Sequence, residues 1–327
     1  MFFDLNKVIA ENMFLSFCVS ERGAGKTYSS VKWLINNFAK TGEQFIYLRR
    51  SQTELDNALP KLFDPYAPEG DFLDNDLKVM GETLYYDNEV CGYGLAVSTA
   101  YKKKSVSYAR VKYILFDEFI QEDNKYLKDE LHKFLSCIET VGRMRDISVI
   151  CLANQNTVYN PYYIYFDVRP ASPDTPRTRF RSKSVLIYQF FSTAYRTAKK
   201  NTRFGQLISG TKYGDFLLDN KAIHDDYTYV NQLDGVKKTP MVNMFIEGVN
   251  IVAYHCWYKG DIIIFFKIRE LVNNIPAYNF DKQLKEERVI DNVRNIPAVK
   301  RITRHIKNGT IAFNDMRVKN IIESFIF

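Results

Sequence analysis

Phe14-Leu15-Ser16-Phe17-Cys18-Val19, and three residues on Arg22-Gly23-Ala24-Gly25-Lys26-Thr27, are the stretch from which the fold can be read. The apolar run predicts a buried strand. The residues from 27 to 38 have helical spacing, with Val31, Leu34, Ile35 and Phe38 on one face. Strand, glycine loop and helix in that order let backbone N–H groups approach phosphate oxygens. A lysine then meets the β- and γ-phosphates and a hydroxyl serves Mg²⁺. Arg22, Gly23, Ala24, Gly25, Lys26 and Thr27 are therefore the expected ATP-binding loop, with Thr27 also a metal ligand. The place where such loops usually carry their first glycine holds Ser20, which still suits the turn. A chance string of these residues is the competing reading. The flanking strand and helix argue against it, as does a second motif downstream.

That motif is Tyr113-Ile114-Leu115-Phe116-Asp117-Glu118, an apolar run ending in two carboxylates. Open α/β sheets gather ligands at the C-terminal tips of their strands. Asp117 is read as the Mg²⁺ ligand and Glu118 as the catalytic carboxylate that orients and deprotonates water. The bland alternative is an acidic helix start. Ile150-Cys151-Leu152-Ala153-Asn154 is a further strand, whose terminal Asn154 is either a γ-phosphate sensor or an ordinary turn residue. Arg143 and Arg145 precede that strand and suit either an arginine finger reaching a neighbouring subunit or structural ion pairs. Lys104, in Lys102-Lys103-Lys104, is open between a trans-acting cation, a DNA contact and a solvated loop.

Outward from these motifs, strands at 45–48, 111–116 and 147–152 alternate with helices at 52–62 and 124–140, and 77–87 pairs with 93–99. This pattern predicts an α/β domain around a mostly parallel sheet. Three prolines between Arg169 and Pro176 break it. Strands at 241–247, 250–257 and 262–268, with helices near 297–307 and 314–325, form a second, smaller α/β domain. The expected division is 1–190 for the first domain, 191–225 for a basic linker region and 226–327 for the second.

The 327 residues carry a net charge of +7, yet residues 169–212 alone hold ten basic residues against Asp174. Such clustering points to a polyanion, with a solvated linker as the plain alternative. Arg196, Lys199, Lys200 and Arg203 are the candidates within this cluster. The five cysteines form no CxxC pair and read as reduced structural thiols. The four histidines show no zinc spacing, and no apolar run reaches membrane-spanning length.

Taken together, the phosphate loop, Phe45-Ile46-Tyr47-Leu48-Arg49-Arg50, Leu115-Phe116-Asp117-Glu118-Phe119-Ile120, Ile150-Cys151-Leu152-Ala153-Asn154 and Asn160-Pro161-Tyr162 resemble the DNA-packaging (encapsidation) ATPases of phi-29-like small tailed bacteriophages. The resemblance implies a P-loop ATPase domain with an ASCE-type parallel sheet and a C-terminal domain like a vestigial RNase H nuclease. It implies ATP and Mg²⁺ as cofactors and double-stranded DNA as the cargo, with Arg196, Lys199, Lys200, Arg203, Arg301 and Arg304 as its contacts. It further implies a homo-oligomeric, pentameric ring on the portal (connector) vertex of a procapsid, with a structural packaging RNA in some relatives. That places the protein in the host cytoplasm and outside the mature virion. Arg143 is the first choice for the trans-acting finger, Arg145 the second, and Lys104 matches a basic position acting across the subunit boundary. Two rival readings are a large-terminase-like packaging enzyme with a working nuclease and a helicase-type ATPase on single strands.

Overall fold

Both faces of the first sheet are covered, which is why its central strands are apolar at nearly every position rather than at alternate ones. The computed structural model describes residues 2–103, 106–121, 126–154, 160–166, 168, 179–182, 184–219, 229–246, 248–280 and 296–326. The chain divides into two units, Met1–His224 and Asp225–Phe327.

The first unit runs α1 (Asn6–Ile9), β1 (Leu15–Ser20), α2 (Lys26–Thr41), β2 (Gln44–Arg49), α3 (Gln52–Ala58), β3 (Leu77–Met80), β4 (Thr83–Tyr86), β5 (Glu89–Ala96), β6 (Val111–Asp117), α4 (Glu130–Gly142), β7 (Ser148–Asn154), α5 (Pro161–Tyr165), β8 (Arg179–Ser182), β9 (Val185–Phe190), α6 (Thr193–Lys200), α7 (Arg203–Ile208) and α8 (Lys212–Asp219). Its nine strands lie in the order β3-β4-β5-β2-β6-β7-β1-β9-β8. The six from β5 to β9 in that order are parallel, and antiparallel partners finish both edges. Successive residues of β1 serve opposite cores. Phe17 and Val19 join a cluster with Phe116, Phe134 and Tyr162 on one face, while Cys18 joins Val31, Leu34, Ile35 and Phe38 of α2 on the other. Burying each of those four α2 side chains is worth about 1.5–3 kcal/mol. All five cysteines of the chain are buried and unpaired.

Three boundaries differ from the sequence reading. The stretch 77–87 is itself a hairpin, β3 and β4, turning at Gly81 (φ 59°), and β5 is its third strand. A glycine in a two-residue connection between apolar runs is the local signal for such a turn. Helix α4 starts at Glu130 rather than 124, because Asp129 sits in the left-handed region (φ 56°) and interrupts helical hydrogen bonding; residues 122–125 lie outside the described residues. The span 191–225, read as a linker region with a helical stretch near 192–203, holds α6 in that stretch and in addition α7 and α8, with Ser192 and Thr202 as side-chain N-caps of the first two.

The second unit contains β10 (Lys238–Ile246), β11 (Val249–Tyr258), β12 (Asp261–Ile268), β13 (Ala277–Asn279), α9 (Pro297–Lys307), β14 (Ile311–Phe313) and α10 (Met316–Ile326). The sheet order is β13-β10-β11-β12-β14. The middle three strands form an antiparallel meander, and both edge strands run parallel to their neighbours. Lys259 (φ 51°) and Gly260 (φ 91°) make the tight turn expected between β11 and β12. Among the described residues no helix is long and apolar enough to cross a membrane.

Candidate active site

Register brings the site together. Ser20 at the end of β1 pairs with Asn154 at the end of β7, and Asp117 at the end of β6 pairs with Leu152. The strand order puts β7 between the phosphate-loop strand and the acidic strand, so all three tips meet at one edge. There Arg22, Gly23, Gly25, Lys26, Thr27, Tyr28, Asp117, Glu118, Ala153 and Asn154 line a pocket of about 280 Å³. The loop needs its glycines: Gly23 (φ 86°) and Gly25 (φ 78°) are both left-handed, and Gly25 caps α2.

Lys26 is buried. Its Nζ donates to Asn154 Oδ1 (3.0 Å), Ser20 Oγ (3.0 Å) and the Glu21 carbonyl (3.0 Å). Burial lowers its pKa to about 8, against the pull of Asp117 and Glu21. The Thr27 hydroxyl lies 3.1 Å from both Asp117 oxygens. Asp117 also accepts from Tyr47 (3.0 Å), and burial raises its carboxyl above the ordinary range despite the Arg49 guanidinium beside it.

Glu118 adopts φ 58°, a left-handed conformation costing roughly 1–3 kcal/mol for a residue with a side chain. Two arginines at the end of β2 hold it. Arg49 Nη2 donates to Glu118 Oε2 (2.7 Å), and Arg49 Nη1 lies 3.4 Å from Asp117 Oδ2. Arg50 donates to the carbonyls of Glu118 and Phe119, and its Nε binds Glu130 at the start of α4 (2.9 Å). The Tyr162 hydroxyl donates to the same Glu130 carboxylate.

The other expected residues fall in several places. Arg143 is exposed at the C-cap of α4 (φ 50°). Arg145 is engaged at home: its Nη1 donates to the carbonyls of Ala109 (2.7 Å) and Val111 (2.9 Å), and its Nη2 to Val141. Lys104 lies outside the described residues. Arg196 and Lys199, expected on DNA, face the phosphate loop. Arg196 Nε donates to the buried carboxylate of Glu21 (3.0 Å), and Lys199 Nζ to the Arg22 carbonyl (2.9 Å). Tyr195 also donates to the Arg22 carbonyl (3.1 Å), and a Cβ on Gly23 would run into its hydroxyl. Lys200 and Arg203 are exposed, as are Arg301 and Arg304 on α9.

Glu21, Tyr47, Glu130 and Tyr195 went unread in the sequence. Only Tyr47-x-Arg49-Arg50, polar residues closing an otherwise apolar strand, offered a signal.

The parallel sheet and this pocket define a P-loop α/β fold shaped for a nucleoside polyphosphate. A profile of the family described as Podovirus DNA encapsidation protein (Gp16) matches residues 1–326. The DNA packaging proteins of Bacillus phages phi29 and PZA are 30% and 29% identical over 324 residues, 98% of this chain and 96% of each relative. Among solved structures, the bacteriophage Phi-29 viral genome packaging motor assembly superposes with a TM-score of 0.77 at 27% identity, covering 99% of this chain and 98% of that one. The N-terminal domain of the DNA packaging ATPase from bacteriophage phi29 gives 0.52 at 34% identity, over 57% of this chain and 95% of that one. The chain belongs to the podovirus DNA encapsidation protein family, and its function is ATP-driven packaging of viral DNA.

Proposed function

We propose that ATP is hydrolysed in the pocket at the tips of β1, β6 and β7, and that turnover drives double-stranded DNA into a procapsid. The observation carrying this reading is that Lys26, Thr27, Asp117, Glu118 and Asn154 line one pocket, although Lys26 and Asn154 stand 128 positions apart. Lys26 meets the β- and γ-phosphates, with Asn154 holding its ammonium in place. Glu118 orients the attacking water and accepts its proton as oxygen attacks Pγ and the bond to ADP breaks. For that, a Glu118 oxygen must be turned from Arg49 toward the water.

The Thr27 hydroxyl and the buried Asp117 carboxylate are hard oxygen donors beside the phosphate loop, a set that fits Mg²⁺. Thr27 and Asp117 would hold Mg²⁺ when it binds with ATP, and the ion would supply neutralisation of phosphate charge. Arg143 is the finger offered to the neighbouring subunit, since Arg145 is committed to carbonyls of its own chain. Lys104 remains a second cation for that boundary.

The working form is a homo-oligomeric, pentameric ring at the portal vertex in the host cytoplasm, joined in some relatives by a packaging RNA. Its lumen contacts are to phosphate, since a motor must not read sequence. Lys200 and Arg203 suit them, as does α9, where Lys300, Arg301, Arg304 and Lys307 are exposed opposite buried Val299 and Ile302. The second unit is read as the RNase H-like domain, supported by its mixed sheet with helices. Of the acids Asp215, Asp219, Asp225, Asp226, Glu247 and Asp261, only Asp261 has a described side chain.

The test is ATP turnover with and without double-stranded DNA. DNA should stimulate the wild type, and Glu118→Gln should abolish turnover. Mixing Glu118→Gln with Arg143→Ala should restore part of it at shared interfaces. Turnover indifferent to DNA, with Arg143→Ala as active as wild type, would leave an ATPase without the ring. Metal-dependent DNA cleavage would favour the terminase-like nuclease.

A further inference from the structure

We propose that Tyr195 and Lys199 of α6 are positioning residues for the phosphate loop: they bind the Arg22 carbonyl from outside the pocket and so aim the Gly23 amide at the phosphates. The inference rests on the ATP reading above and names what holds the loop ready for its ligand.

The loop is held from behind, residue by residue. The Glu21 carboxylate accepts from the Ser192 amide (3.0 Å) and from Arg196 Nε (3.0 Å). The Arg22 carbonyl accepts from the Tyr195 hydroxyl (3.1 Å) and from Lys199 Nζ (2.9 Å). The Ala24 carbonyl accepts from the Phe3 amide (3.0 Å). Arg22, Gly23 and Gly25 line the phosphate pocket, whereas none of these five donor residues is among its lining. Four of the five belong to α6 or its N-cap, so one short helix serves two consecutive loop residues.

Peptide geometry turns these bonds into aim. In a planar trans peptide the carbonyl of one residue and the N–H of the next point opposite ways. An Arg22 carbonyl drawn toward α6 therefore turns the Gly23 N–H away from α6, to the side where the pocket lies. The Ala24 carbonyl does the same for the Gly25 amide. Such amides are what a phosphate loop presents to its ligand. Gly23 makes the restraint necessary. It is left-handed (φ 86°), and a residue without a Cβ lets the peptide before it rotate at little steric cost. A reversed peptide between Arg22 and Gly23 would face the phosphates with an oxygen in place of a donor. Two hydrogen bonds on that oxygen, one from a cation, oppose the reversal. The two donors also brace each other. The Lys199 ammonium lies over the Tyr195 ring at 5.4 Å, and that ring meets Phe2 edge-on at 6.4 Å.

The full-length wild type, Tyr195→Phe and the double variant Tyr195→Phe/Lys199→Met test this. The substitutions remove the donors and keep the ring and the aliphatic stem. Contacts to the α- and β-phosphates exist in substrate and transition state alike. The double variant should therefore raise KM for ATP roughly 10-fold, about one hydrogen bond to a charged group, and leave kcat within about twofold. Tyr195→Phe alone should raise KM about 3-fold. The amide itself is read by selective ¹⁵N-glycine labelling, which gives only 15 peaks for the whole chain. ADP should shift the Gly23 peak in the wild type and much less in the double variant. The Gly25 peak, whose peptide is held by Phe3, should shift in both. An unchanged KM with an unchanged Gly23 shift overturns the positioning role, even where the unfolding midpoint falls as packing alone would make it. A wild type that neither binds ADP nor hydrolyses ATP overturns the ATP reading with it.

Discussion

Arg50 reaches three acceptors at once: the Glu130 carboxylate and the carbonyls of Glu118 and Phe119. Its side chain is 4% exposed and that of Glu130 2%, so neither charge has water to fall back on. Breaking such a pair from one side costs about 3–5 kcal/mol, because the surviving ion stays buried and unpaired. Arg50→Ala is therefore expected to lose about that much stability in denaturant unfolding. Adding Glu130→Leu to Arg50→Met should recover much of the loss. A double-mutant cycle with coupling near zero would refute the clamp. Arg50→Lys should not rescue, since an ammonium lacks the planar fork that serves a carboxylate and two carbonyls together. The clamp also bears on chemistry: its bonds to the carbonyls of residues 118 and 119 help hold Glu118 in a left-handed conformation it would not adopt alone.

Among the elements, α6 is the least expected in its role. Its sequence, Thr-Ala-Tyr-Arg-Thr-Ala-Lys-Lys, is basic and short, and charge counting assigns it to DNA. Packing divides its cations instead. Arg196 and Lys199 turn to Glu21 and Arg22 of the phosphate loop, while Lys200 is exposed. Arg196→Ala, which among the described residues leaves the buried Glu21 side chain with the Ser192 amide as its hydrogen-bond donor, should cost roughly 1–3 kcal/mol and weaken nucleotide binding. Replacing Arg203 should instead lower the salt slope of DNA binding by about one, with nucleotide affinity unchanged. The opposite pattern would return Arg196 to the DNA. This is also where reading from sequence stops. Strand β1, the loop, α2 and β6 are legible because each states its own chemistry locally: apolar runs, left-handed glycines, paired acids at a strand tip. The register of β7 then delivers Asn154 to Lys26. Nothing local tells that Glu21 meets α6, 175 positions downstream, or that Glu130 meets Arg50. The first pairing depends on how β9 returns beside β1 and the second on β2 lying beside β6, long-range facts that a count of charges along the chain does not hold.

At the scale of the whole molecule, the five buried cysteines make the chain its own reporter of opening. Cys18, Cys91, Cys137 and Cys151 belong to the first unit and Cys256 to the second. Burial raises the pKa of every one, to about 12 for Cys91 and Cys137, so a folded thiol is neither reached nor ionised at neutral pH. Alkylation must wait for local or global unfolding, and its rate measures how often that occurs. No label need be engineered, and mass spectrometry can read each unit in one tube. ATP at about 100 times its dissociation constant should slow modification of the first-unit thiols by up to ~100-fold, the mass-action shift for a ligand held only by the folded state. Cys256 should keep its own pace. A matching slowdown there would mean that both units come apart in a single event, and that occupancy of the phosphate loop is felt as far as the meander of β10, β11 and β12.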